Sequence, residues 1–77
     1  MSLLELPLDV DAVIEQVHAQ DDEGPLLRAM GLLEGQPVRV LRRAPLGGPL
    51  QVRVGDACFA VGRSLASLVQ VQVVEAR

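Results

Sequence analysis

This chain has almost no aromatic residues. Its 77 residues include no tryptophan, no tyrosine and one phenylalanine, Phe59. The core must therefore be aliphatic, built from valine and leucine. Lysine is absent, and every basic residue is arginine. One cysteine, Cys58, excludes an intramolecular disulfide and fits a reducing compartment. One histidine, His18, lies far from Ser64 and Ser67 in sequence. A nucleophile, an aligned base and a group orienting that base are not in view, so no enzymatic activity is expected. No apolar run approaches the ~20 residues that a membrane-spanning helix needs. Met1 to Glu5 lacks a basic segment and a long apolar stretch, so no signal peptide is expected. The expected location is cytoplasmic, without membrane insertion.

What remains is enough for one small domain, residues 1–77. A domain of this size buries only ~60% of the surface its unfolded chain exposes, so the core must be efficient. Charge is split along the chain. Residues 1–34 carry a net −7 and residues 35–77 a net +4, for a total of −3. The simplest consequence is two halves that attract each other within one fold. A nucleic-acid surface does not fit, because the total is acidic and no aromatic side chains are available to stack on bases.

Val10, Val13, Ile14 and Val17 have helical spacing, yet Val13, Ile14 and Val17 are β-branched and prefer strands. Ala12, Ile14 and Gln16 could instead line one face of a strand, and on pattern alone helix is slightly ahead. A short helix is expected over residues 25–30. Pro25 suits its first position and Gly31 the left-handed residue beyond its end. The acids before Pro25 suit the positive end of the helix dipole. Leu26, Leu27 and Met30 are expected to face the core.

From Gln36 the apolar period is two. Val38 and Val40 should point one way, Arg39 and Arg43 the other. Leu50, Val52 and Val54 should point inward, as should Ala57, Phe59 and Val61, with Cys58 and Ala60 outward. Gly55-Asp56 reads as a tight hairpin turn. Residues 63–68 read as a short helical piece, and Val69, Val71 and Val73 as a last inward-facing set. Four or five short strands close most economically into a barrel. The expected core is Ile14, Val17, Leu27, Met30, Val38, Val40, Val52, Val54, Phe59, Val61 and Val71.

Ala44-Pro45-Leu46-Gly47-Gly48-Pro49-Leu50 separates two of these runs. Two prolines fix φ and remove two donors, while two glycines permit positive φ. The expectation is a stiff, sharply turned loop with a leucine near its tip. No Gly-Lys-Ser/Thr follows, so it is no phosphate cradle. It is suited to being touched by a partner. The expected contact residues are Pro45, Leu46, Gly47, Gly48 and Pro49, with Arg42 and Arg43 supplying charge and Arg53 placed near them across the hairpin.

Four segments resemble the FeoA family: Leu27-Arg28-Ala29-Met30-Gly31-Leu32-Leu33-Glu34-Gly35, the strand Val38-Arg39-Val40, the loop Arg43-Ala44-Pro45-Leu46-Gly47-Gly48-Pro49-Leu50, and the closing Leu68-Val69-Gln70-Val71. The resemblance covers about residues 10–74. It implies a mostly β, small SH3-like barrel with one or two short helices, and it makes the segment around Ile14 a first strand. It implies a cytosolic partner of the ferrous-iron transporter FeoB. FeoA-like domains also form the C-terminal modules of DtxR-type metal-dependent repressors. This chain has no room for a repressor's other domains, so the stand-alone form is implied. Two positions depart from the family pattern. Gly48 stands where an aspartate is usual, and Leu26 where an arginine often opens the short helix.

The alternative reading is a transition-metal-binding or metal-sensing domain. His18, Asp21, Asp22 and Glu23 offer nitrogen and oxygen donors in a short acidic stretch, best completed by a second molecule. They are weak candidates for iron or zinc, and no cofactor is required. Cys58 is expected as an outward or edge residue, since a closed site usually needs four ligands. The sequence leaves open a homodimer.

Overall fold

Where the sequence alternates, the chain is extended. The computed structural model describes residues 1–19 and 22–74. Five strands appear among them: β1 (Ala12–Val17), β2 (Pro37–Arg43), β3 (Leu50–Val54), β4 (Ala57–Val61) and β5 (Val69–Val73). They form one antiparallel sheet in the order β4-β3-β2-β1-β5. Two short helices, α1 (Gly24–Ala29) and α2 (Arg63–Ala66), and a 3₁₀ turn at Leu3–Glu5 complete the fold. Among the described residues the barrel does not close by hydrogen bonds, because β4 and β5 stand at opposite ends of the sheet.

β3 shows the period-two logic most directly. Leu50, Val52 and Val54 are buried, and Gln51 and Arg53 are exposed. The β3–β4 hairpin turns through Gly55, whose φ of 59° suits the first central position of a type II′ turn. Helix α1 carries Pro25 in its first turn and ends on Gly31 at φ 77°. Beyond it, Leu32 N–H donates to Leu27 O and Gly31 N–H to Arg28 O, both at 2.9 Å. These are the two bonds of a Schellman motif, and Leu27 and Leu32 are both buried beside it.

Several side chains depart from expectation. Leu26 is exposed and only Leu27 of α1 is buried, because a helix this short presents a single position to the sheet. Val17, Met30 and Phe59 pack against the core from its margin, half-buried. Phe59 lies on an end strand, where nothing covers its far side. Ala57 and Val73, expected to face in, are exposed at strand ends.

The largest difference is at Arg43. The β2–β3 register shifts between Val40 and Arg42, leaving Leu41 as the extra residue of a bulge. One added residue turns every later side chain over. Arg43 therefore lies opposite buried Leu50, on the inner face rather than the outer. Its guanidinium donates to Leu4 O at 3.0 Å and to Leu6 O.

Those carbonyls belong to an N-terminal segment that the expected core omitted. Leu3 and Leu6 are fully buried. Ser2 and Glu5 form a capping box: the Ser2 hydroxyl accepts from Leu4 N–H, and the Glu5 carboxylate accepts from Ser2 N–H. The 3₁₀ turn packs on α2 and β5. Among the described residues no polar side chain is buried. Asp11 and Arg39 form an ion pair, at 2.7 Å.

Candidate partner-docking site

The loop between β2 and β3 is closed at its base by Ala44 N–H donating to Pro49 O at 3.1 Å. A second bond, Gly48 N–H to Pro45 O at 3.2 Å, makes Pro45–Gly48 a β-turn. Its central residues, Leu46 and Gly47, have φ of 59° and 74°. Positive φ at both central positions is the mark of a type I′ turn, where asparagine and glycine are favoured. Leucine is uncommon there, and a non-glycine residue in this region costs of order 1–3 kcal/mol. Leu46 is also 104% exposed, whereas no other large apolar side chain exceeds 50%. The side chain best suited to burial is thus held out in water on a backbone that disfavours it.

Gly48 is needed for space rather than for φ. A Cβ there would stand 2.7 Å from Ala44 Cβ. The family's usual aspartate does not fit this loop without movement of Ala44.

Arg42 is exposed and projects from the outer face of β2, in line with Gln51 and Ala60. Arg63, which sequence reasoning missed, comes from the first turn of α2. Its Cδ lies 3.8 Å from where a Cβ on Gly47 would be, so its stem runs along the loop tip. Only the way α2 returns toward the sheet brings Arg63 here, and no local pattern signals it. Arg43 is turned inward to Leu4 and Leu6 and is not presented with the loop. Arg53 sits further along β3, beside Arg39 and Cys58 in register, away from the tip. Between loop and β4 runs a groove of about 300 Å³, lined by Arg42, Pro45, Pro49 and Phe59 among others.

The candidate metal donors are not assembled. His18 is exposed after β1, and its backbone N–H donates to Leu68 O at 2.8 Å. Asp22 is exposed and Glu23 precedes α1. Asp21 lies outside the described residues. Among the described residues, no three His, Cys, Asp or Glu side chains come together. Cys58 is exposed on β4. No helix among them is long and apolar enough to cross a membrane.

A model of the FeoA domain matches residues 1–73. The chain belongs to the FeoA family. Among solved structures, FeoA from Stenotrophomonas maltophilia is 42% identical, with a TM-score of 0.78 over 94% of this chain and 89% of that one. It is described as a prokaryotic SH3 domain protein complexed with zinc, and as a candidate ferrous iron transport activating factor. The SH3-like fold expected for this FeoA domain is thereby established. The iron(II) transport protein A of Clostridium thermocellum is 28% identical, with a TM-score of 0.91 over 96% of this chain. This chain spans only 46% of that protein. The manganese-activated repressor ScaR, at 20% identity, shares the fold with a TM-score of 0.85, over 35% of its own length. A comparison with curated proteins matches nothing.

Proposed function

We propose that this FeoA domain is a cytoplasmic, non-catalytic accessory protein of ferrous iron uptake that binds and regulates a FeoB-type transporter through the β2–β3 loop. Family membership supports the iron-transport role. The observation that carries the docking site is Leu46, a fully exposed leucine on the disfavoured backbone of a tight turn. Pro45 and Pro49 reduce the entropy lost when the loop is immobilised against a partner. Arg42 and Arg63 add charge complementarity to an acidic partner face and raise the association rate. Arg43 contributes indirectly, by fixing the N-terminal segment beneath the loop.

The test is Leu46→Asp. The substitution removes no buried area and aspartate tolerates positive φ, so the thermal midpoint should not fall. Binding to the transporter's cytosolic region and support of iron uptake should both be lost. If the variant folds and still supports uptake, the contact lies elsewhere on the barrel.

The zinc complex of the Stenotrophomonas relative favours a second reading, direct transition-metal binding. In this chain it would draw on His18 with Asp22, Glu23 and Asp21. Calorimetry with ferrous and zinc ions decides it. Submicromolar, stoichiometric binding that His18→Ala abolishes would establish the metal reading. Weak or absent binding is the outcome expected here.

A further inference from the structure

We propose that the outer edge of β4 accepts an extended, acidic segment of a protein partner as an added antiparallel or parallel strand. This rests on reading the chain as an interaction module, and not on the loop's being the contact.

Among the described residues, the backbone of Ala57–Val61 pairs only with β3. Its other edge is a row of unpaired donors and acceptors. Natural sheets blunt such edges with charged side chains, proline or bulges. β4 has none of these: its sequence is Ala-Cys-Phe-Ala-Val, and its register with β3 is unbroken. The opposite end of the sheet is covered. Val71 N–H donates to Met1 O at 2.8 Å, and Ser2 bridges Gln70. The same chain that protects β5 leaves β4 bare.

The neighbouring side chains specify the occupant. On the outer face, Arg53 stands directly beside Cys58, and Arg42 lies beyond Gln51 and Ala60. Arg63 follows the strand. No carboxylate pairs with these three arginines among the described residues, and Asp56 in the turn is the one acid adjoining the strand. On the inner face, Phe59 is half-buried and packs against the core from its margin. An added strand places alternate side chains on opposite faces. The fitting segment therefore alternates acidic residues, which meet the arginines, with apolar residues, which meet Phe59. Main-chain bonds supply affinity and the alternate positions supply specificity. A second copy of this chain fits badly, since β4 paired with β4 would set two basic faces together.

The probe is a seven-residue peptide alternating glutamate and valine, compared with its lysine–valine counterpart, against the full chain. Binding is followed by nuclear magnetic resonance with amide exchange. The acidic peptide should bind at least tenfold more tightly, weaken with salt, and protect amides of residues 57–61. Ala60→Glu, which adds like charge at an exposed position, should weaken it about tenfold, a loss of about 1.4 kcal/mol. Leu46→Asp should leave it unchanged. Equal binding of both peptides, no binding, or shifts confined to residues 45–49 would overturn the proposal. The last of these would leave the loop reading standing. A β4-paired homodimer in sedimentation without peptide would also overturn it. Loss of iron uptake in Leu46→Asp with peptide binding intact supports both sites. Intact uptake in that variant sinks the loop reading alone.

Discussion

The two ends of the sheet show how a small aliphatic barrel divides its resources. At the β5 end, the first six residues do several jobs. Met1 and Ser2 bond to β5, Leu3 and Leu6 fill the core, and the carbonyls of Leu4 and Leu6 receive Arg43. At the β4 end nothing comparable is present among the described residues. Phe59 is half-buried, Cys58 and Ala60 are exposed, and Leu46 stands free on the β2–β3 loop. One end is committed to stability and the other is left open. In a domain with so little interior, the difference points to the open end as the one that meets other molecules.

The strongest way to break this comparison is to remove the cover. Leu3→Ala should cost about 2–5 kcal/mol, the usual range for a buried leucine that leaves a cavity. Chemical denaturation measures the loss. Amide exchange should show β5 opening more readily in the variant while the β4 edge, already open, changes little. A cost below about 1 kcal/mol, within the range of surface changes, would mean that the segment is an ornament on the barrel.

Val52→Ala tests the part of the core that both ends share. Val52 is fully buried between Val40 and Phe59. Its truncation should cost about 1–3 kcal/mol in lost burial and an incompletely filled cavity. The remaining stability should fall without altering binding at either proposed surface.

Arg42 and Arg43 sharpen the comparison between neighbours in sequence. Arg43→Met leaves the part-buried carbonyls of Leu4 and Leu6 without their donor, at about 1–3 kcal/mol. Arg42→Met removes an exposed group and should stay within about ±0.5 kcal/mol. Partner association should respond the other way, slowing and losing salt dependence in the Arg42 variant. Equal stability losses would mean that the bulge at Leu41 does not separate their roles.

That bulge also marks where sequence reasoning stops. Alternation alone placed Leu50, Val52 and Val54 correctly, because a strand's face is a local property. Pro25 and Gly31 marked α1, and the Pro-Leu-Gly-Gly-Pro run gave the stiff loop with an outward leucine. A single extra residue in β2 has no comparable signal, since Arg-Arg at the strand's end is compatible with either register. The packing of Leu3 and Leu6 depends on α2 and β5, near the other end of the chain. Arg63 reaches the loop only because α2 returns there. Phe59 read as core by hydrophobicity and alternation, and only the strand order shows that it lies at an edge. Local chemistry was legible; what the sheet's ends do was not.

The smallest effect is the most informative about Leu46. Asparagine tolerates the left-handed region that leucine disfavours, and type I′ turns prefer it. Leu46→Asn should therefore stabilise the domain by about 0.5–1 kcal/mol, part of the strain of a non-glycine residue at positive φ. Nothing is lost in exchange, because the leucine buries no area in the free protein. If the leucine is held there for a partner, the more stable variant should bind the transporter's cytosolic region less well. A stabilised variant with full binding would show that the turn merely tolerates leucine. A variant with no gain in stability would show that the turn carries no strain, and the exposure of Leu46 would then stand alone as the reason to place a contact there.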